Sequence, residues 1–133
     1  MKKCWIFVAI LLALSGCSAT LTQAELDTAD YGYAISQVSA EGAALQFLHN
    51  YLKDPLSAVC DWNPIYRGAT KDGLLDGHKS HFGYVLDGKV NAKNSFGGYI
   101  GYKPYKFVFH NGVIDAIYTE QLIGSTAYLG KIY

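Results

Sequence analysis

The chain has 133 residues, room for one domain of ordinary size and none for a second enzyme module. Its 11 basic and 11 acidic residues cancel and are interspersed, so nucleic acid is a poor partner, because binding that polyanion needs a concentrated basic footprint. Half the residues are apolar and only 17% charged, enough to build a packed core, and 11 Tyr, 6 Phe and 14 Gly point to twisted strands and tight turns.

Lys2 and Lys3 precede an apolar run, Trp5 to Leu14, followed by the small residues Ser15 and Gly16 and then Cys17. That is the layout of a bacterial export signal over residues 1–16. The run is about half of the roughly 20 residues a helix needs to cross a bilayer, so it reads as a signal core and not as a span. Leu14-Ser15-Gly16-Cys17 resembles the lipobox of bacterial lipoproteins. The resemblance implies cleavage before Cys17, a diacylglyceryl thioether on its sulfur and a further acyl chain on its new amino group. Several chains together anchor stably, where a single one binds only marginally. In such lipoproteins the residue after the Cys steers sorting, and Ser18 favours the outer membrane, with the protein facing the periplasm. Cys4 leaves with the signal and Cys17 carries lipid, so Cys60 is the one free thiol. Its neighbours Val59 and Trp62 favour burial over pairing with another chain.

Residues 17–29 read as the lipidated Cys and a flexible tether, because Ser18 to Thr28 is small, polar and without strong periodicity. Residues 30–133 read as a single domain. Ala40, Ala44, Leu45, Phe47, Leu48, Tyr51 and Leu52 recur at helical spacing, with Ser39 as N-cap and an end near Lys53 imposed by Pro55. Beyond it the period changes to that of strands: Val59–Tyr66, Gly83–Val90, Lys106–His110 and Val113–Thr119. Asn111-Gly112 predicts a tight type I′ hairpin between the last two. Asp87-Gly88 fits either a turn or a bulge. Gly68 to Ser80 reads as an exposed loop, and the tail after Glu120 either adds an edge strand or hangs free. The predicted architecture is α+β, one amphipathic helix on a small antiparallel sheet of about four strands.

The segment Asn91-Ala92-Lys93-Asn94-Ser95-Phe96-Gly97-Gly98-Tyr99-Ile100-Gly101-Tyr102-Lys103-Pro104-Tyr105 resembles a stretch of a family of small bacterial lipoproteins with no assigned function. Asp30-Tyr31-Gly32, Leu52-Lys53-Asp54-Pro55 and Ser57-Ala58 are similar to the same family's other landmarks, in the same order. The resemblance covers Asp30 to about Asp115 and implies a lipid-anchored single domain. It implies nothing about catalysis.

In the 91–105 segment the glycines permit left-handed or bulged backbone, while tyrosines offer stacking faces with a hydrogen-bonding tip. Asn91, Lys93, Asn94, Tyr99, Tyr102, Lys103 and Tyr105 are therefore the candidate binding residues for a peptide, a glycan or another envelope protein. The competing reading is that the glycines shape a loop and the Asn side chains cap its backbone. No phosphate cradle is present, since no Gly-Lys-Ser/Thr follows the glycines. His78 and His81, with Asp72 and Asp76, supply too few ligands from one loop to assign a metal. Cys60 lacks an activating base, and no Gly-x-Ser-x-Gly elbow occurs. No catalytic residue and no cofactor is assigned. The expected function is that of an adaptor docking on another envelope protein, with wall-glycan or small-ligand binding as the alternative and a hydrolase using His78 and His81 a distant third.

Overall fold

The computed structural model describes residues 20–133; the expected export signal and the expected lipidation site, Cys17, lie outside the described residues. Two helices, α1 (Gln23–Thr28) and α2 (Gln37–Tyr51), precede six strands: β1 (Asp54–Trp62), β2 (Tyr66–Lys71), β3 (Ser80–Lys93), β4 (Lys103–His110), β5 (Val113–Ile123) and β6 (Thr126–Lys131). All pairings are antiparallel, in the order β1-β3-β4-β5-β6. β3 is long enough to pair with β1 through its second half and with β2 through its first, on the same edge.

The α+β class holds, but the sheet has six strands where four were expected. β2 was masked by Arg67, Gly68 and Lys71, which read as loop, yet Gly68 pairs directly with Gly83. Only 72–79 connects β2 to β3. The tail after Glu120 is an ordered continuation of β5 and then β6, closed at Gly130 and Lys131 against Thr119 and Tyr118. Asn111 and Gly112 both take positive φ, as a type I′ hairpin requires. Asp87-Gly88 is neither turn nor bulge: both residues sit in register within β3, and Gly88 is there because the Trp62 ring lies over it.

α2 starts three residues earlier than expected. Ser36 is the N-cap, its hydroxyl accepting from the Ser39 N–H at 3.1 Å, and Leu52 closes the far end. The helix buries Ala40, Ala44 and Leu48, one stripe at a spacing of four, against Leu86, Val90, Tyr105, Phe107, Phe109 and Ile117 of the sheet. Leu45 stays half exposed. Phe107 is the centre of this core, edge-on to Phe47 and Trp62 and stacked with Tyr105 and Phe109. Part of the expected tether is folded as α1, capped by a reciprocal Thr22/Glu25 box. Glu25 also bonds Lys71 Nζ at 3.3 Å and Ser80 Oγ at 3.1 Å, fixing α1 at the end of the sheet where β2 leaves and β3 enters.

The other face carries Val85, Val108, Ala116 and Tyr118. Tyr118 donates to Asp72 at 2.6 Å, and Lys131 on β6 reaches the same carboxylate at 3.0 Å. Asp72 follows β2, and β2 and β6 lie four strand spacings apart, about 19 Å in a flat sheet. One lysine and one aspartate side chain do not span that, so the sheet is curled toward this face.

Candidate functional site

At the C-terminal end of α2 a cleft of about 410 Å³ opens between the helix, the end of β3 and the loop that joins β3 to β4. Its floor is apolar, from Leu52, Val90 and Ala92, with Ile100 of the loop at its mouth. Its rim carries Lys53, Lys93 and Lys103, facing Glu120 of β5, with Tyr51 as an aromatic wall. Among the described residues Lys53, Lys103 and Glu120 form no ion pair. A second depression, about 420 Å³, runs beside α2 between Phe47 and Tyr133, with no charged residue in its lining. The first is the site with chemistry, since convergent polar groups over an apolar floor are what orient a ligand.

The 91–105 segment builds one wall of this cleft, and its bonds show how. Asn94 Oδ1 accepts from the N–H groups of Phe96 and Gly98, at 2.9 and 3.1 Å, and the Asn94 N–H donates to the Gly98 carbonyl at 2.9 Å. Asn91 Oδ1 accepts from the Gly101 N–H at 3.0 Å. Both carboxamide oxygens are thus spent on holding the loop. Tyr99 donates to the Ser57 carbonyl at 3.1 Å, and the Ser57 hydroxyl accepts from the Lys93 N–H at 2.8 Å, which ties the loop to β1. Lys93 lies over the Tyr99 ring and Lys89 over that of Tyr102, at 5.4 and 5.2 Å from their centroids. The loop tip presents Phe96 almost fully to solvent, and Tyr99, Ile100 and Tyr102 are about half exposed.

The structure therefore divides the seven candidates. Lys93, Asn94, Lys103 and Tyr105 border the cleft; Tyr99 and Tyr102 lie on the outer surface of the loop; Asn91 is a backbone clamp. Tyr105 touches the cleft but belongs to the core, 5% exposed, its phenol pKa pushed up by burial. Sequence reasoning missed Lys53, Tyr51 and Glu120, which come from the helix end and from β5. In the sequence Lys53 reads as a helix terminus and as part of the Leu52-Lys53-Asp54-Pro55 landmark, neither of which marks it as a binding residue.

His81 and Asp72 are not in an exposed loop, as expected, but buried at the closed side of the curled sheet. His81 Nε2 faces the Asp72 carboxylate at 3.1 Å and Nδ1 faces Asp115 Oδ2 at 2.5 Å. Asp115 gets there through a bulge: Val108 pairs with Ala116 and Phe109 with Ile114, so Asp115 is the extra residue of β5, re-aimed inward. Burial alone raises the Asp72 pKa, but hydrogen bonds from Tyr118, Lys131 and His81 outweigh it and hold the carboxyl below its ordinary range. With both ring nitrogens engaged and no exposure, His81 offers neither a metal ligand nor a reachable base. Among the described residues no group of three or more His, Cys, Asp or Glu side chains is arranged to hold a metal ion. Cys60 is half-buried on the helix-facing side, packed against the core beside Trp62, and desolvation pushes its thiol pKa up, away from reactivity.

The cleft and α1 lie at opposite ends of β3. Glu25 touches Ser80, the first residue of that strand, and Lys93, its last, borders the cleft, roughly 43 Å away along an extended strand. Compared with known proteins, the chain matches no protein-family model, no curated sequence and no solved structure.

Proposed function

We propose that the chain is a non-catalytic binding module of the bacterial envelope, held at the outer membrane through a lipidated Cys17, and that the cleft under the 91–105 segment takes its ligand. The observation that carries this reading is the convergence of Lys53, Lys93 and Lys103 on an apolar, tyrosine-walled cleft at the end of the sheet remote from Thr20. Such a lining suits a ligand that offers carboxylates to the lysines and a flat sugar or apolar face to Tyr51, as an acidic glycan of the cell wall does. A remote position suits a target on the wall side of the anchor. The test is thermal protection of the full chain by soluble wall fragments. At tenfold excess over Kd a ligand adds about 1.4 kcal/mol, a rise of several degrees in Tm. Lys103→Ala should weaken binding several-fold with Tm of the free protein unchanged, since an exposed ion pair contributes about 0.2–1 kcal/mol. No protection at millimolar fragment would overturn the reading.

The second reading, an adaptor for an envelope protein, is favoured by the exposed apolar tip of the same loop, Phe96, Tyr99, Ile100 and Tyr102. Photo-crosslinking in living cells from position 99, on the outer surface of the loop, and from position 103, bordering the cleft, separates the two: a discrete protein adduct from 99 supports the adaptor, and capture of wall fragments from 103 alone supports the cleft.

A further inference from the structure

We infer that the 72–79 connection is a second membrane contact, its exposed Leu74 and Leu75 resting in the headgroup layer of the bilayer to which the chain is anchored. The inference rests on the lipid-anchor reading and adds an orientation to it. Leu74 and Leu75 form a 3₁₀ turn (Leu74–Asp76) and are 68% and 86% exposed. Among the described residues neither belongs to a core cluster. The base of the turn is fixed all the same: the Asp72 N–H donates to the Lys79 carbonyl at 2.8 Å, and the Asp72 carboxylate holds Tyr118 and Lys131. Two adjacent large apolar side chains are thus presented outward on a held loop, an arrangement that suits shallow insertion and differs from singly scattered surface apolars.

The occupant follows from where the described chain begins. Glu25 bonds Lys71 and Ser80, the last residue of β2 and the first of β3, so α1 sits directly against the base of this turn. Thr22 is tied to Glu25 by the capping box. From Thr22 back to Cys17 the chain reaches at most about 18 Å. A lipid on Cys17 therefore brings the bilayer surface to the end of the sheet that carries Leu74 and Leu75. Tyr33 and Val113 are exposed at that same end, beside the Asn111-Gly112 hairpin. Contact there points the cleft away from the membrane.

The test uses the full chain purified from bacterial membranes and reconstituted in vesicles of phosphatidylethanolamine and phosphatidylglycerol doped with brominated phosphatidylcholine. Two variants at exposed positions, Leu75→Trp and Phe96→Trp, are compared with the parent. The added Leu75→Trp emission should be blue-shifted and quenched by the brominated lipid; the added Phe96→Trp emission should stay red and unquenched. Flotation of the vesicles reads the anchor separately. Flotation with no quenching of the Leu75→Trp signal, or a blue shift without quenching that grows with protein concentration and so reports a second copy, overturns the membrane contact and leaves the anchor standing. Failure to float overturns the anchor and the contact together.

Discussion

Gly88 marks the point where Trp62 crosses β3. A Cβ there would stand 2.4 Å from the Trp62 ring and 2.5 Å from the Asp61 carbonyl oxygen, closer than any relaxed contact. The indole cannot simply move aside, because it packs edge-on to Phe107 at 5.8 Å. Gly88→Ala should therefore lower stability by about 2–3 kcal/mol, read as a lower urea midpoint at unchanged slope. Phe107→Ala empties the middle of an aromatic stack and should lose about 3–5 kcal/mol. A loss of that size at Gly88 would make Trp62 the rigid partner described; a neutral Gly88→Ala would mean that β1 shifts over β3 to make room. These residues also show the limit of reading turns from dipeptides. Asn111-Gly112 and Asp87-Gly88 look alike locally, and what separates them is Trp62, a neighbour across the sheet.

At the scale of elements, one side chain makes most of the bonds that dock α1 on the sheet. Glu25 accepts from the Thr22 N–H and hydroxyl, at 2.8 and 2.9 Å, and from Lys71 and Ser80. These bonds, the Thr22 backbone bond foremost, pull its pKa from 4.5 to about 2. A depressed carboxylate contributes its stabilisation in full above the ordinary value and loses it as pH falls through the folded one. α1 should thus stay docked above pH 4.5 and release as pH approaches about 2. Glu25→Ala should release it at neutral pH, seen as faster amide exchange over 23–28 with exchange in β3 and β4 unchanged. Equal exchange in variant and parent would show that Tyr31, packed edge-on to Phe82 at 5.8 Å, holds the segment without Glu25. The stretch looked like a tether because six residues with no buried side chain leave no periodic signal. α2 was legible, since Ala40, Ala44 and Leu48 carry the period, but its first turn buries nothing and so its start was placed late. β2 and β6 escaped for the opposite reason: they are edge strands, and their burial patterns lack the alternation by which a half-buried strand is recognised.

For the molecule as a whole, the polar cluster on the curled face joins elements that no short-range pattern connects. Asp72, His81, Asp115, Tyr118 and Lys131 come from the end of β2, from β3, from a bulge in β5 and from β6, and the bonds among them close the two margins of the sheet on each other. Only the first two were noticed in the sequence, and there as loop residues, because a bulge that turns Asp115 inward leaves no mark on composition. The cleft was half legible: its loop announces itself by glycine and tyrosine, whereas Lys53 and Glu120 join it only through the topology. Closure through a buried carboxylate has a sign in pH. Asp72 is held below its ordinary 3.8, so its contribution is complete above that value and is lost as pH falls through the lower folded one. Asp72→Asn removes one member of a buried ionic network and should lose about 3 kcal/mol at neutral pH. It should also flatten the acid limb of stability, followed as the urea midpoint from neutral pH to below 3.8. Because Lys131 bonds the same carboxylate, Lys131→Met and Asp72→Asn should be non-additive by about 0.5–3 kcal/mol. Additive losses with an unchanged acid limb would mean that the curl is set by the twist of the strands alone, with Asp72 and Lys131 merely lying across it.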